Sequence, residues 1–153
     1  MTPEEKILIR LMEWIEADLS QILQIETSSF NSYDAYGRED FQRWFSRNPD
    51  LCLLAEIGGR IVGYGIGHIL ADRAELVSMA IHSDFRGHGV GSALLEETIR
   101  RVKTYGIHQI ELEVRKTNFD GFQFWEKRGF SPVSELPGFY EDGEDAIQMR
   151  KNI

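Results

Sequence analysis

Leu76-Val77-Ser78-Met79-Ala80-Ile81, then His82-Ser83-Asp84-Phe85, then Arg86-Gly87-His88-Gly89-Val90-Gly91, is the stretch on which the reading of this chain turns. Beyond it, Ser92 to Tyr105 runs without Gly or Pro, and Ala93, Leu94, Leu95, Ile99 and Val102 recur every three or four residues. The pattern predicts an apolar strand, a glycine-rich turn and an amphipathic helix of about four turns. Glycines at 87, 89 and 91 strip side chains from the backbone where that helix begins. The first N–H groups of a helix have no partner within it and sit at the positive end of its dipole, so such a start holds anions, pyrophosphate among them. Residues 86–92 are therefore read as a phosphate loop.

Two familiar phosphate loops do not match. A nucleotide P-loop ends in Gly-Lys-Ser/Thr, whereas Gly91 is followed by Ser92-Ala93. A dinucleotide fingerprint needs Gly or Ala three residues after its second glycine, and the two possible registers place Ser92 or Leu94 there. Position also argues against the second, because about 75 residues precede the strand, too many for the first unit of a doubly wound sheet.

The 153 residues suffice for one domain with a single core, taken as 1–153. Apolar residues at 42% and charged ones at 27% have the balance of a soluble globular chain. No apolar run approaches the roughly 18 residues of a membrane span, and Met1 to Lys6 lacks the basic and apolar regions of a secretory signal. The lone cysteine, Cys52, lies in an apolar run and reads as a buried thiol. These features point to the cytoplasm and to no membrane partner. A net charge of −8 argues against nucleic acid and is compatible with attracting a cationic amine or basic peptide. His68, His82, His88 and His108 have no spacing that suggests a metal site, so no metal is expected. Monomer and homodimer both remain open.

Ile7 to Leu11 reads as a strand, and Asp18 as the N-cap of a helix bearing Leu19, Ile22, Leu23 and Ile25. Ser28 to Gly37 reads as a loop, and Glu39 to Ser46 as a second helix, stopped by Pro49. Leu51 to Ile57, Gly58-Gly59 and Arg60 to Leu70 form a hairpin. Gly63, Gly65 and Gly67 alternate in its second strand, leaving one face bare for a ligand wall or an adjacent helix. After the long helix come a strand at Gln109 to Val114, a helix at Phe119 to Lys127, and strands at Phe130 to Glu135 and Ile147 to Lys151. The class is α/β, a mixed sheet of about seven strands with four helices in the order βααβββαβαββ.

Arg86-x-x-Gly89-x-Gly91 after a short apolar strand resembles the acetyl-CoA loop of the GNAT acetyltransferases. The likeness extends to Leu112-Glu113-Val114-Arg115-Lys116-Thr117-Asn118, to Phe124-Trp125-Glu126-Lys127-Arg128-Gly129-Phe130, and to Tyr140 through Met149. These segments look like the protein N-terminal branch of the family, its ribosomal-protein alanine and archaeal acetyltransferases, and the match covers residues 7–151. The resemblance implies mostly antiparallel strands splayed in a V between those ending at Ile81 and Val114, with acetyl-CoA in the gap. It implies Arg86, Gly87, His88, Gly89, Val90, Gly91 and Ser92 on the pyrophosphate, and Asn118 on the pantetheine arm. It further implies Met79, Ala80 and Ile81 beside the acetyl group, and Tyr33 and Tyr140 along the peptide site.

Acetyl transfer from a thioester to an amine needs a neutral nucleophile, donors for the oxyanion, and help for the departing thiolate. The backbone N–H groups of Met79, Ala80 and Ile81 are the oxyanion candidates. Glu113 matches the proton acceptor of the ribosomal-protein enzymes, while Glu75 matches the base position of the histone acetyltransferases; by pattern alone Glu111 and Glu113 are a solvated sheet face. Where the ribosomal-protein enzymes carry a tyrosine acid near the sulfur, this chain has Trp125, whose indole has no proton to release near neutral pH. Tyr140, Tyr33 and His82 are the substitutes available. The CoA thiol, at about 8.5, can also leave as thiolate. The expectation is direct acetyl transfer to a protein or peptide α-amino group. A small-amine acceptor and a coenzyme-binding sensor of weak catalysis are the alternatives.

Overall fold

The computed structural model describes residues 6–30 and 34–153. Strands β1 (Leu8–Leu11), β2 (Cys52–Ile57), β3 (Arg60–Ile69), β4 (Ala74–Ile81), β5 (Gln109–Arg115), β6 (Ser131–Leu136) and β7 (Ala146–Asn152) form one sheet in the order β1-β2-β3-β4-β5-β7-β6. Every neighbouring pair is antiparallel except β4 with β5. Helices α1 (Glu16–Ser29), α2 (Arg38–Arg47), α3 (Val90–Lys103) and α4 (Phe119–Lys127) complete the order read from the sequence.

Gly58 and Gly59 turn β2 into β3 with φ of 57° and 78°, the left-handed pair that a two-residue hairpin requires. Helices α1 and α2 cover one face, burying Ile22, Ile25 and Phe41 against Tyr64 and Ile66. The other face receives α3, whose Val90 and Leu94 pack with Leu53, Ala55 and Val62. The bare strip along β3 is the bed for this helix. A methyl at Gly63 would stand 3.1 Å from Val90 Cγ1, and one at Gly65 would stand 3.9 Å from Leu94 Cβ. Of the two uses open to those glycines, helix packing is the one realised at Gly63 and Gly65, while Gly67 makes room for Leu51, 3.2 Å from a methyl placed there.

Three sequence expectations change. Asp18 is not the N-cap but lies inside the first turn of α1, whose N-cap is Ile15. The carboxylate is taken instead by Arg10, at 2.7 and 2.9 Å, and by the Glu13 N–H. Ser28 and Ser29 belong to α1, not to the following loop, and the Ser28 hydroxyl is accommodated by back-bonding to the Ile25 carbonyl. Glu111 is not solvated: it is buried, with Arg150 at 2.6 Å and Arg73 at 3.2 Å. Cys52 is buried as expected, and burial pushes its thiol up to about 12. Among the described residues no helix is long and apolar enough to cross a membrane.

Candidate active site

The site begins where the sheet comes apart. Strands β4 and β5 pair only at Ala74↔Ile110 and Glu75↔Glu111. Beyond those two rungs β4 continues to Ile81 and β5 to Arg115, with no further register between them. Two parallel strands that diverge leave facing edges of N–H and C=O groups, a slot suited to an amide-bearing arm. A bulge adds to this. Ile66 faces Ser78 and Gly67 faces Leu76, so Val77 is an extra residue on β4. Bulges re-aim the backbone of a strand and accompany active sites, and this one lies just before Met79, Ala80 and Ile81.

The connection from β4 to β5 passes through α3, so the start of that helix stands at the open end of the slot. Gly87 and Gly89 have φ of 79° and 83°, with Gly89 as the N-cap. A methyl at either would touch nothing, so glycine is needed there for the backbone angle. Gly91 is needed for space: a methyl would come within 2.6 Å of Phe124 Cζ on α4. The first-turn N–H groups at Val90, Gly91 and Ser92 have no intrahelical acceptor. Two guanidinium groups flank them. Arg86, exposed, donates to the Ile81 carbonyl at 3.4 Å. Arg128 donates to Ser92 Oγ at 3.1 Å and to the Phe124 carbonyl at 2.8 Å, lying 3.5 Å over the Phe124 ring. His88 is exposed beside Phe85. This cradle of bared amides and two fixed cations suits a diphosphate. Asn118 caps α4, its Oδ1 accepting the Gly121 N–H at 2.9 Å.

On the α1/α2 side the structure brings together two residues that the sequence offered as alternatives. Burial raises the Glu113 carboxyl to about 7, with Glu75 and Glu111 adding to the effect. Glu75 lies beside Glu113 across the β4–β5 seam, close enough for its like charge to count in that rise. Tyr36 joins this cluster. Burial lifts its hydroxyl to about 12, with Glu26, Glu75, Asp40 and Glu113 adding to the effect, and its ring meets Phe41 edge-on at 6.1 Å.

Arg115, two residues after Glu113 on the same face of β5, ties the surrounding loops. It donates to Asp34 at 2.6 and 2.8 Å, to Asp142 at 2.9 Å and to Glu144 at 2.7 Å, and it lies 4.1 Å over the Tyr140 ring. Tyr140 therefore borders the cluster, and burial raises its hydroxyl to about 12. Such a group donates a hydrogen bond but keeps its proton near neutral pH. Trp125 is wedged edge-on between Phe124 and Phe130, at 4.8 and 5.4 Å. His82 has Arg60 Nη2 3.0 Å from one ring nitrogen, and the Asp84 N–H donates to the other. Tyr33 lies outside the described residues. Among the described residues no group of three or more His, Cys, Asp or Glu is placed to hold a metal.

The sequence reading missed Glu26, Tyr36, Arg115 and Arg128. One of them left a signal: Glu26 follows Leu19 and Ile22 at helical spacing, a charge on a stripe that is otherwise apolar.

Comparison with known proteins agrees with this architecture. The model of the acetyltransferase (GNAT) family matches residues 12–130, and the chain belongs to that family. It is 34% identical over 139 residues to an uncharacterized N-acetyltransferase of Methanocaldococcus jannaschii, covering 88% of this chain and 85% of that one. To an N-alpha-acetyltransferase of Sulfolobus acidocaldarius it is 31% identical, covering 87% and 86%. The crystal structure of Ard1 from Thermoplasma volcanium superimposes with a TM-score of 0.89 at 25% identity, over 96% of this chain and 97% of that one. The chain is thus an acetyl-CoA-dependent N-acetyltransferase, with the archaeal branch among its relatives as the resemblance implied.

Proposed function

We propose that the chain acetylates the N-terminal α-amino group of a protein or peptide by direct transfer, with Glu113 as general base and Glu75 as the partner that tunes it. The observation that carries this reading is the Glu75–Glu113 pair, half-buried where β4 and β5 part, with Glu113 raised to about 7. An α-amino group titrates at about 8 and a lysine side chain at about 10.4. A carboxylate poised near 7 is matched to the first of these and several units short of the second. The relatedness to an N-alpha-acetyltransferase supports the same acceptor.

Bound acetyl-CoA supplies the activated acetyl group as a thioester. The bared amides of Val90, Gly91 and Ser92, with Arg86 and Arg128, would hold its diphosphate, and Asn118 its amide arm. Backbone N–H groups on the open edge of β4, among Met79, Ala80 and Ile81 just past the bulge at Val77, would meet the acetyl oxygen as it gains charge. Glu113 takes the proton of the incoming amine, and the field of Glu75 makes it basic enough to do so. Trp125 and Tyr140 offer hydrogen bonds to the departing sulfur, which leaves as thiolate.

Release of free thiol, followed over a panel of peptides, lysine amides and small amines, tests this. Turnover is expected on peptides with a free α-amino group. Turnover confined to small amines would overturn the acceptor. Glu113→Gln is expected to lower kcat by about 10- to 10⁴-fold with acetyl-CoA affinity unchanged. An unaffected rate would transfer the base role to Glu75.

A further inference from the structure

Glu26 is the most secluded carboxyl near the site, 1% exposed, yet none of the steps above uses it. It stands in the last turn of α1 and reaches two other segments. Its Oε2 accepts the backbone N–H of Tyr36 at 3.0 Å, and the hydroxyl of Ser78 lies 3.5 Å from its Oε1. Tyr36 is the residue before Gly37, the N-cap of α2, and its own hydroxyl lies within the field of Glu75 and Glu113. Ser78 follows the bulged Val77 on β4, one residue before Met79, the first of the oxyanion candidates. One side chain thus bridges the segment that carries Tyr36 and the strand that carries both Glu75 and the candidate donors.

We infer that Glu26 is a positioning residue for acetyl transfer, a spacer that fixes Tyr36 against the Glu75–Glu113 pair and thereby sets the acceptor wall of the slot. The geometry favours this over a purely structural role. A buried carboxylate is costly to keep without full compensation, and an apolar residue of like size would fill the α1 stripe more cheaply. Among the described residues Glu26 is held by two neutral donors and no cation, and burial raises its carboxyl to about 7. Asp34 and Asp40 add to that rise, so the groups facing it from the adjoining loop and from α2 are anionic as well. What the carboxyl gains from its place is control over where Tyr36 stands.

The inference rests on the acceptor lying on this face, as proposed above, and the test keeps the two separate. The full-length chain is compared with Glu26→Ala, Glu26→Gln and Ser78→Ala, using whichever acceptor the unaltered chain turns over, peptide or small amine. Glu26→Ala should raise the acceptor KM about tenfold, the loss of one to two hydrogen bonds. The acetyl-CoA KM should stay unchanged, and amide exchange in the segment spanning Tyr36 should accelerate. Glu26→Gln keeps an acceptor for the Tyr36 N–H and should restore both values. Should Glu26→Ala fail to fold, Ser78→Ala removes one end of the bridge alone and should raise the acceptor KM about threefold. An acceptor KM unmoved in folded Glu26→Ala, or in Ser78→Ala where the former does not fold, overturns the inference. So does equal damage to both substrates. An unaltered chain that acetylates only small amines refutes the peptide reading while leaving Glu26 to be judged on that amine; one that acetylates nothing ends both.

Discussion

In the proposed reaction Glu113 and Glu75 would act as a pair, because neither environment would serve alone. A lone glutamate at a solvated strand end would be fully ionised and a weak base near pH 7. Burial raises Glu113 to about 7, and the adjacent Glu75 adds to that rise. The rate should therefore climb with pH to a plateau above about 7. Glu75→Gln removes the like charge, so the Glu113 carboxyl should fall and the rising limb of kcat/KM should move to lower pH, with a smaller maximal rate. A pH–rate profile that stayed in place would show that Glu75 does not act on Glu113. Neither effect was readable beforehand, for a clear reason. Sequence places Glu113 on a strand and Glu75 on another, but only the shared parallel register at Ala74 and Glu75 brings the two carboxyls together. Local residues were more legible: Gly58 and Gly59 predicted their turn because the backbone angles they need are intrinsic to glycine.

Helix α3 was recognisable from its periodicity, and its first turn illustrates what a pattern leaves out. The sequence shows three glycines in the loop but not that they do different work. Gly87 and Gly89 supply backbone angles, while Gly91 lets α4 press its Phe124 ring against the start of α3. Gly91→Val should force the two helices apart, costing about 1–3 kcal/mol of stability in a denaturant titration. It should also weaken acetyl-CoA by calorimetry, because Phe124 supports Arg128, which in turn reaches Ser92. Asp18 went the opposite way. Its type suits an N-cap, but Arg10 from β1 claims the carboxylate, and a tertiary ion pair outweighs the local preference.

Taken as one body, the chain is tied across the proposed acceptor side by Arg115, which links β5 to Asp34 before α2 and to Asp142 and Glu144 before β7. Arg115→Leu should leave the sheet intact and release both loops, raising the acceptor KM about tenfold with acetyl-CoA affinity retained, as separate titrations of the two substrates would show. Stability should also depend on pH in a defined direction. Glu26 and Glu113 both move from an ordinary 4.5 up to about 7, so the folded chain holds those protons more tightly than the unfolded one. Their contribution is complete below about pH 4.5 and is lost as pH rises through about 7. Asp18 and Glu97 are shifted downward, and their contribution is lost only in acid. From about pH 5 to pH 8 these groups predict a falling thermal midpoint, measurable by calorimetry.

The two rungs between β4 and β5 divide the sheet into leaves of four and three strands, joined along the seam by Ala74, Glu75 and the Arg73–Glu111 ion pair and backed by a core in which Leu76 and Leu95 pack with Ile110, Leu112 and Val114. Beyond those rungs the seam is open, and whatever bridges it does the work of the absent ones. The donor then acts as masonry as well as reagent: lodged between the parted strands, it would supply the cross-slot contacts that the rungs do not, and the amine would meet a wall already set.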